Sequence, residues 1–178
     1  ITHFYAGDFD RAAEIAGDSL RWAEVAGDAP GVAFAHNFLG SCAKAQGDYA
    51  LARDRFSRAV AAYRALGDDL GAAMVLNNLG NVAQAMGDFA TAQQFYLECS
   101  GLFKALDHRH GAATTLANAG RLALKQGDTT QARQLLAESL GFKRQQQDDR
   151  GTAVALVGLG GVSLATGDLG QASAELAE

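Results

Sequence analysis

Gly158-Leu159-Gly160-Gly161 is the segment nearest in type to a phosphate-binding loop. Such a loop aims backbone N–H groups at an anion and lies between a strand and a helix. Here the segment falls in register with Asn78-Leu79-Gly80-Asn81 inside a helical pattern, so nucleotide binding is not expected. His108-Arg109-His110 sets two imidazoles two positions apart. Structural zinc takes four ligands, and no third is near in sequence, so an exposed polar turn is expected. Asp68-Asp69 and Asp148-Asp149 pair carboxylates as acid–base sites do, but helix capping accounts for them. Arg53, Arg55, Arg58 and Arg64, with Asp54 among them, read as an outer solvated face. Cys42 and Cys99 have no metal-site spacing and make no disulfide framework. Cys99 stands where sister segments have Ala or Ser and Cys42 where they have Val or Leu, which makes both packing residues, and a reducing, cytoplasmic setting suits them. No nucleophile and base recur in register. The expectation is a protein that is not an enzyme, with no metal and no cofactor.

The elements that carry these residues come from a repeat. Gly-Asp returns at 7–8, 47–48, 87–88, 127–128 and 167–168, always 40 residues apart. Segments starting at Gly31, Gly71, Gly111 and Gly151 align without an insertion, and each is followed by a second segment type as far as the chain runs. Both types have helical periodicity. In the first type Ala72, Val75, Leu76, Leu79, Val82, Ala83 and Met86 form one stripe. In the second, Tyr49, Ala52, Phe56, Ala59, Val60 and Tyr63 form another. Gly47 is expected to end one helix in the left-handed conformation, and Asp48 to cap the next. The alternate turn uses Gly27-Asp28 and Gly67-Asp68, then drifts to Asp107-His108 and Gln147-Asp148. Ala52, Ala92, Ala132 and Ala172, with Gly40, Gly80, Gly120 and Gly160, mark close helix contacts. A helix-interior Gly costs about 1 kcal/mol relative to Ala, so its fixed return signals contact.

Leu76-x₂-Leu79-Gly80-x₂-Ala83…Ala92-x₃-Tyr96 resembles the tetratricopeptide repeat. His36 or Leu stands for the family's Trp, and Ala43, Ala83, Ala123 or Ser163 for its Tyr. The closing Pro is absent and the second helix is longer. Those departures resemble the longer-repeat branch: kinesin light chains, Pins-type adaptors, and the arrays of bacterial signalling ATPases and transcription regulators. The resemblance implies an all-α fold, a right-handed solenoid of antiparallel helix pairs. One array over 1–178 is expected, with repeats at 29–68, 69–108, 109–148 and 149–178 after a second-type helix at 8–27. Neither end reads as a polar capping helix. The expectation is therefore a piece of a longer protein, with self-association through uncovered Phe4, Ile15, Trp22 and Leu169 as another outcome.

One first-type face is not explained by the core. Met74, Asn77, Asn78, Asn81 and Gln84 point together, opposite the apolar stripe; Phe34, Asn37, Phe38, Ser41 and Lys44 precede them in register, and Asn118, Arg121 and Lys125 follow. A plain solvated face would favour Lys and Glu, because Asn is a mediocre helix former. An amide both donates and accepts, so it can pair with a peptide backbone. The resemblance places this face on the inner wall of the solenoid. The expected function is a scaffold binding a protein or peptide, with Phe34 and Phe38 as apolar anchors. Effector sensing within a bacterial signalling ATPase and an oligomerisation role are the rival readings. A net charge of −5 without a basic run argues against nucleic acid, and no apolar run reaches the roughly 18 residues of a membrane span.

Overall fold

The computed structural model describes residues 9–177. Every regular element among them is an α-helix: α1 (Phe9–Ala26), α2 (Ala29–Ala45), α3 (Tyr49–Ala65), α4 (Asp69–Ala85), α5 (Phe89–Ala105), α6 (Arg109–Lys125), α7 (Thr129–Gln145), α8 (Asp149–Ala165) and α9 (Leu169–Ala177). The chain divides into two compact units, one ending at Phe95 and the other starting at Tyr96. In the first, α1, α2, α3 and α4 pack each on the next; in the second, α6, α7, α8 and α9 do the same. First-type helices also touch one another, α2 with α4 and α6 with α8.

The turns explain the returning dipeptide. Gly47 has φ 81, which an L side chain rarely adopts. There Asp48 N–H donates to the Ala43 carbonyl, the bond that closes α2. The Asp48 carboxylate then accepts from Leu51 N–H at 2.9 Å and starts α3. Asp28, Asp68, Asp88, Asp128, Asp148 and Asp168 cap their helices in the same manner. Where the dipeptide drifts, the geometry is kept. Asp107 and Gln147 sit at φ 49 and 54 without being Gly. His108 caps α6 through its ring, Nδ1 accepting from Gly111 N–H at 3.1 Å. The ring also stacks on Phe103 at 5.0 Å. This is the role of the His-Arg-His segment.

Close contacts sit at the repeating small residues. Ala52, Ala92 and Ala132 are fully buried and Ala172 nearly so. A Cβ on Gly40 would stand 2.7 Å from the Phe56 ring, one on Gly120 2.7 Å from Leu136 Cγ, and one on Gly160 2.9 Å from Leu176 Cγ. Gly158 and Gly160 of the glycine-rich segment therefore serve packing, inside α8. Cys42 and Cys99 are buried and form no disulfide.

Two stripe assignments need correction. Met86 and Tyr49 are exposed, at 44% and 36%. Met86 is the C-cap residue of α4 and Tyr49 the first residue of α3, so both stand where the stripe has already left the helix contact. Ile15, Trp22 and Leu169 are exposed; Phe4 lies outside the described residues.

Candidate partner-binding site

In the first unit, α4 carries Met74, Asn77, Asn78, Asn81 and Gln84 on one side. The opposite side, with Val75, Leu76, Leu79, Val82 and Ala83, is buried. The helical period separates the two sets. Met74 is exposed and the four amides are half-buried. On α2, Phe34 is exposed, while Asn37, Phe38, Ser41 and Lys44 are half-buried.

Lys44 stitches two first-type helices together. Its Nζ donates to Asn78 Oδ1 at 3.3 Å and lies 6.0 Å from the Phe56 ring centroid. Burial lowers its pKa from the ordinary lysine value. Lys44 and Asn78 thus hold α2 beside α4. Ser41 Oγ donates to the Asn37 carbonyl at 3.0 Å. Asn37 turns its Oδ1 inward, where no protein donor reaches it.

In the second unit, Asn118 is half-buried, and Arg121 and Lys125 are exposed. Arg121 Nη2 donates to Asn118 Oδ1 at 2.6 Å. Burial raises the pKa of Tyr96 to about 12, with the nearby Arg121 charge opposing the rise. Ala117, beside Asn118, is buried, and Leu124 packs on the core of Leu136, Leu156 and Leu159. Sequence reasoning missed Val154 and Val157 of α8, which are exposed and line a shallow cavity of about 560 Å³ with Arg121, Leu124 and Lys125. Their register with Met74 and Asn77 was the available signal.

Phe34 and Phe38 stack at 6.4 Å. They line a cavity of about 590 Å³ between α1 and α2, together with Ile15 and Trp22. The remaining candidates resolve structurally. Asp68 and Asp148 are caps. Arg58 pairs with Asp54 at 3.0 Å. Arg55 is half-buried and its charge bears on His36, so it is not a plain outer-face residue. Among the described residues no group of three or more His, Cys, Asp and Glu could hold a metal ion, and no helix is long and apolar enough to cross a membrane.

The tetratricopeptide repeat family model matches residues 1–65 and 71–145, so the chain belongs to that family. Among solved structures, BtubC (BKLC) from P. vanneervenii is 22% identical, with a TM-score of 0.91 over 98% of this chain and 73% of that one. A putative kinesin light chain from Podosopora anserina with nearly identical repeats is 14% identical, with a TM-score of 0.82 over 99% of this chain and 87% of that one. At these identities the likeness is one of fold: a tetratricopeptide-like solenoid. No curated protein matches the chain. Repeats of this family generally mediate protein–protein interactions.

Proposed function

We propose that the chain is a scaffold that binds a peptide segment of a partner protein along the polar faces of its first-type helices. The observation that carries this reading is the row of half-buried amides, Asn77, Asn78, Asn81 and Gln84, bordered by exposed Met74. Half-burial limits the conformational freedom that such side chains lose on binding, and amides can pair with a peptide backbone in either direction. Phe34, Asn37, Phe38, Ser41 and Lys44 extend the site on α2. Asn118, Arg121 and Lys125, with Val154 and Val157, supply a second face on the other unit. The reading fits a regulatory array of a larger cytoplasmic signalling protein that performs no catalysis itself.

The test is selection of peptides from a random library on the immobilised chain. Replacing Asn77 and Asn81 together by Ala should weaken the selected peptides about 5- to 150-fold, from two hydrogen bonds of about 0.5–1.5 kcal/mol each. Arg53→Ala with Arg64→Ala should leave affinity unchanged. The reverse pattern refutes the site.

A further inference from the structure

The first unit closes the space between two of its first-type helices with a polar bridge: Lys44 of α2 donates to Asn78 of α4. Two repeats on, α6 and α8 carry Leu124 and Gly158 in those places. Leu124 reaches towards α8, where a Cβ on Gly161 would stand 3.3 Å from its Cδ2. Gly158 has no room for a side chain, because a Cβ there would stand 2.9 Å from Leu136 Cδ2. This pair forms no bridge. A crevice of about 560 Å³ is left between α6 and α8, walled by Leu124, Val154 and Val157 over Gly158. Arg121 and Lys125 of α6 complete its lining.

The chemistry of this lining selects its occupant. Arg121 and Lys125 are four positions apart, so they are neighbours on one helix face. No carboxylate stands among the lining residues. Arg121 gives one donor to Asn118 Oδ1, and a guanidinium has five. The two cations suit one anionic head group. Beyond them the walls are aliphatic. Arg and Lys side chains donate but never accept, so no lining side chain can receive a peptide N–H. A peptide backbone laid in the crevice would bury amides without acceptors, which is unfavourable. An alkyl chain brings no such groups and gains from apolar contact. We propose that the α6/α8 crevice binds a free single-chain carboxylate, its head at Arg121 and Lys125 and its alkyl tail against Leu124, Val154 and Val157.

The probe is sodium decanoate below its micellar concentration, titrated onto the 178-residue chain. Binding is followed by calorimetry and by the methyl resonances of isotope-labelled Leu and Val. The methyls of Leu124, Val154 and Val157 should shift and saturate. Affinity should rise about two- to fourfold per added methylene from hexanoate to decanoate. Decanol should bind at least about tenfold more weakly, as should decanoate once Arg121→Gln and Lys125→Gln are present. Val157→Asn, which copies the residue at position 77, should weaken binding without unfolding the exposed site. Asn77→Ala with Asn81→Ala should leave the response intact, so failure here and failure of the peptide site are told apart. The proposal is overturned by the absence of a saturable shift, by affinity independent of chain length, or by decanol binding as well as decanoate. Shifts spread over the Leu and Val methyls of both units would show detergent-like adsorption instead. Binding to phosphatidylglycerol vesicles that decanoate does not displace would assign the crevice to a membrane surface. A library peptide that moves these methyls when decanoate does not would assign it to the peptide.

Discussion

Gly71 faces the ring of Tyr63: a Cβ on Gly71 would stand 2.5 Å from Tyr63 Cδ1. The same joint recurs between Phe103 and Gly111, at 2.7 Å, and between Lys143 and Gly151, at 2.6 Å. α3, α5 and α7 each send one long side chain over the first turn of the next helix, and only Gly leaves room for it. Gly71→Ala should therefore cost about 1–3 kcal/mol through overpacking, less about 1 kcal/mol of regained helix propensity. Urea denaturation should show the loss in the native background. With Tyr63→Ala already present, the cost of Gly71→Ala should shrink to what the Asp68 cap, 2.7 Å from the added Cβ, still imposes.

Gln147 is held at φ 54 with no glycine to relieve the strain. Left-handed backbone costs an L residue about 1–2 kcal/mol, partly offset by the greater unfolded-state freedom of Gly. Gln147→Gly should stabilise the chain by about 0.5–1 kcal/mol, read as a raised thermal midpoint.

His36 is buried, and no partner meets its Nδ1. Its pKa is lowered below 6.5 by burial first, then by Arg55 and Arg58, against weaker raising by Glu24 and Asp54. The unfolded chain therefore takes up the proton first. This stability contribution is complete above pH 6.5 and is lost as pH falls through the folded pKa. His36→Leu should flatten the denaturant midpoint between about pH 7.5 and 5. An unchanged slope would show that His36 does not drive it.

Arg133, Ser163 and Glu175 join three helices. Arg133 donates to Ser163 Oγ at 2.8 Å and to Glu175 Oε1 at 3.2 Å, and Ser163 Oγ donates to Glu175 Oε2 at 2.7 Å. Ser163 is completely buried. Glu175→Ala strips partners from both other groups and should cost about 1–3 kcal/mol. Amide exchange should rise in α9 before it rises in α6.

The period, the turns and the small-residue contacts were legible because each imposes a local requirement on residue type. Gly47 and Asp48 could be assigned roles from the dipeptide alone, and Gly40 from its return at a fixed step. Long-range partnerships were not legible in that way. Lys44 looks like an open cation in sequence, yet it lies against Asn78, which is 34 positions away. Phe34 and Phe38 read as groove anchors, but their cavity depends on Ile15 and Trp22 of another helix. The glycines at 71, 111 and 151 marked the segments without revealing what crowds them. Their meaning required knowing which side chain the preceding helix sends across.

The side-chain bond between Arg133 and Glu175 spans 42 positions, and those from Gln46 to Asp10 and from Lys44 to Asn78 span 36 and 34. Each reaches across about one repeat. Short loops close quickly, because the entropy of bringing the ends together grows with the intervening length. Folding of such a chain starts in any hairpin and spreads to its neighbours, at the fast rates typical of local topologies. Damage is confined by the same arithmetic: a broken turn loosens the helices it joins and those resting on them, while distant repeats keep their contacts.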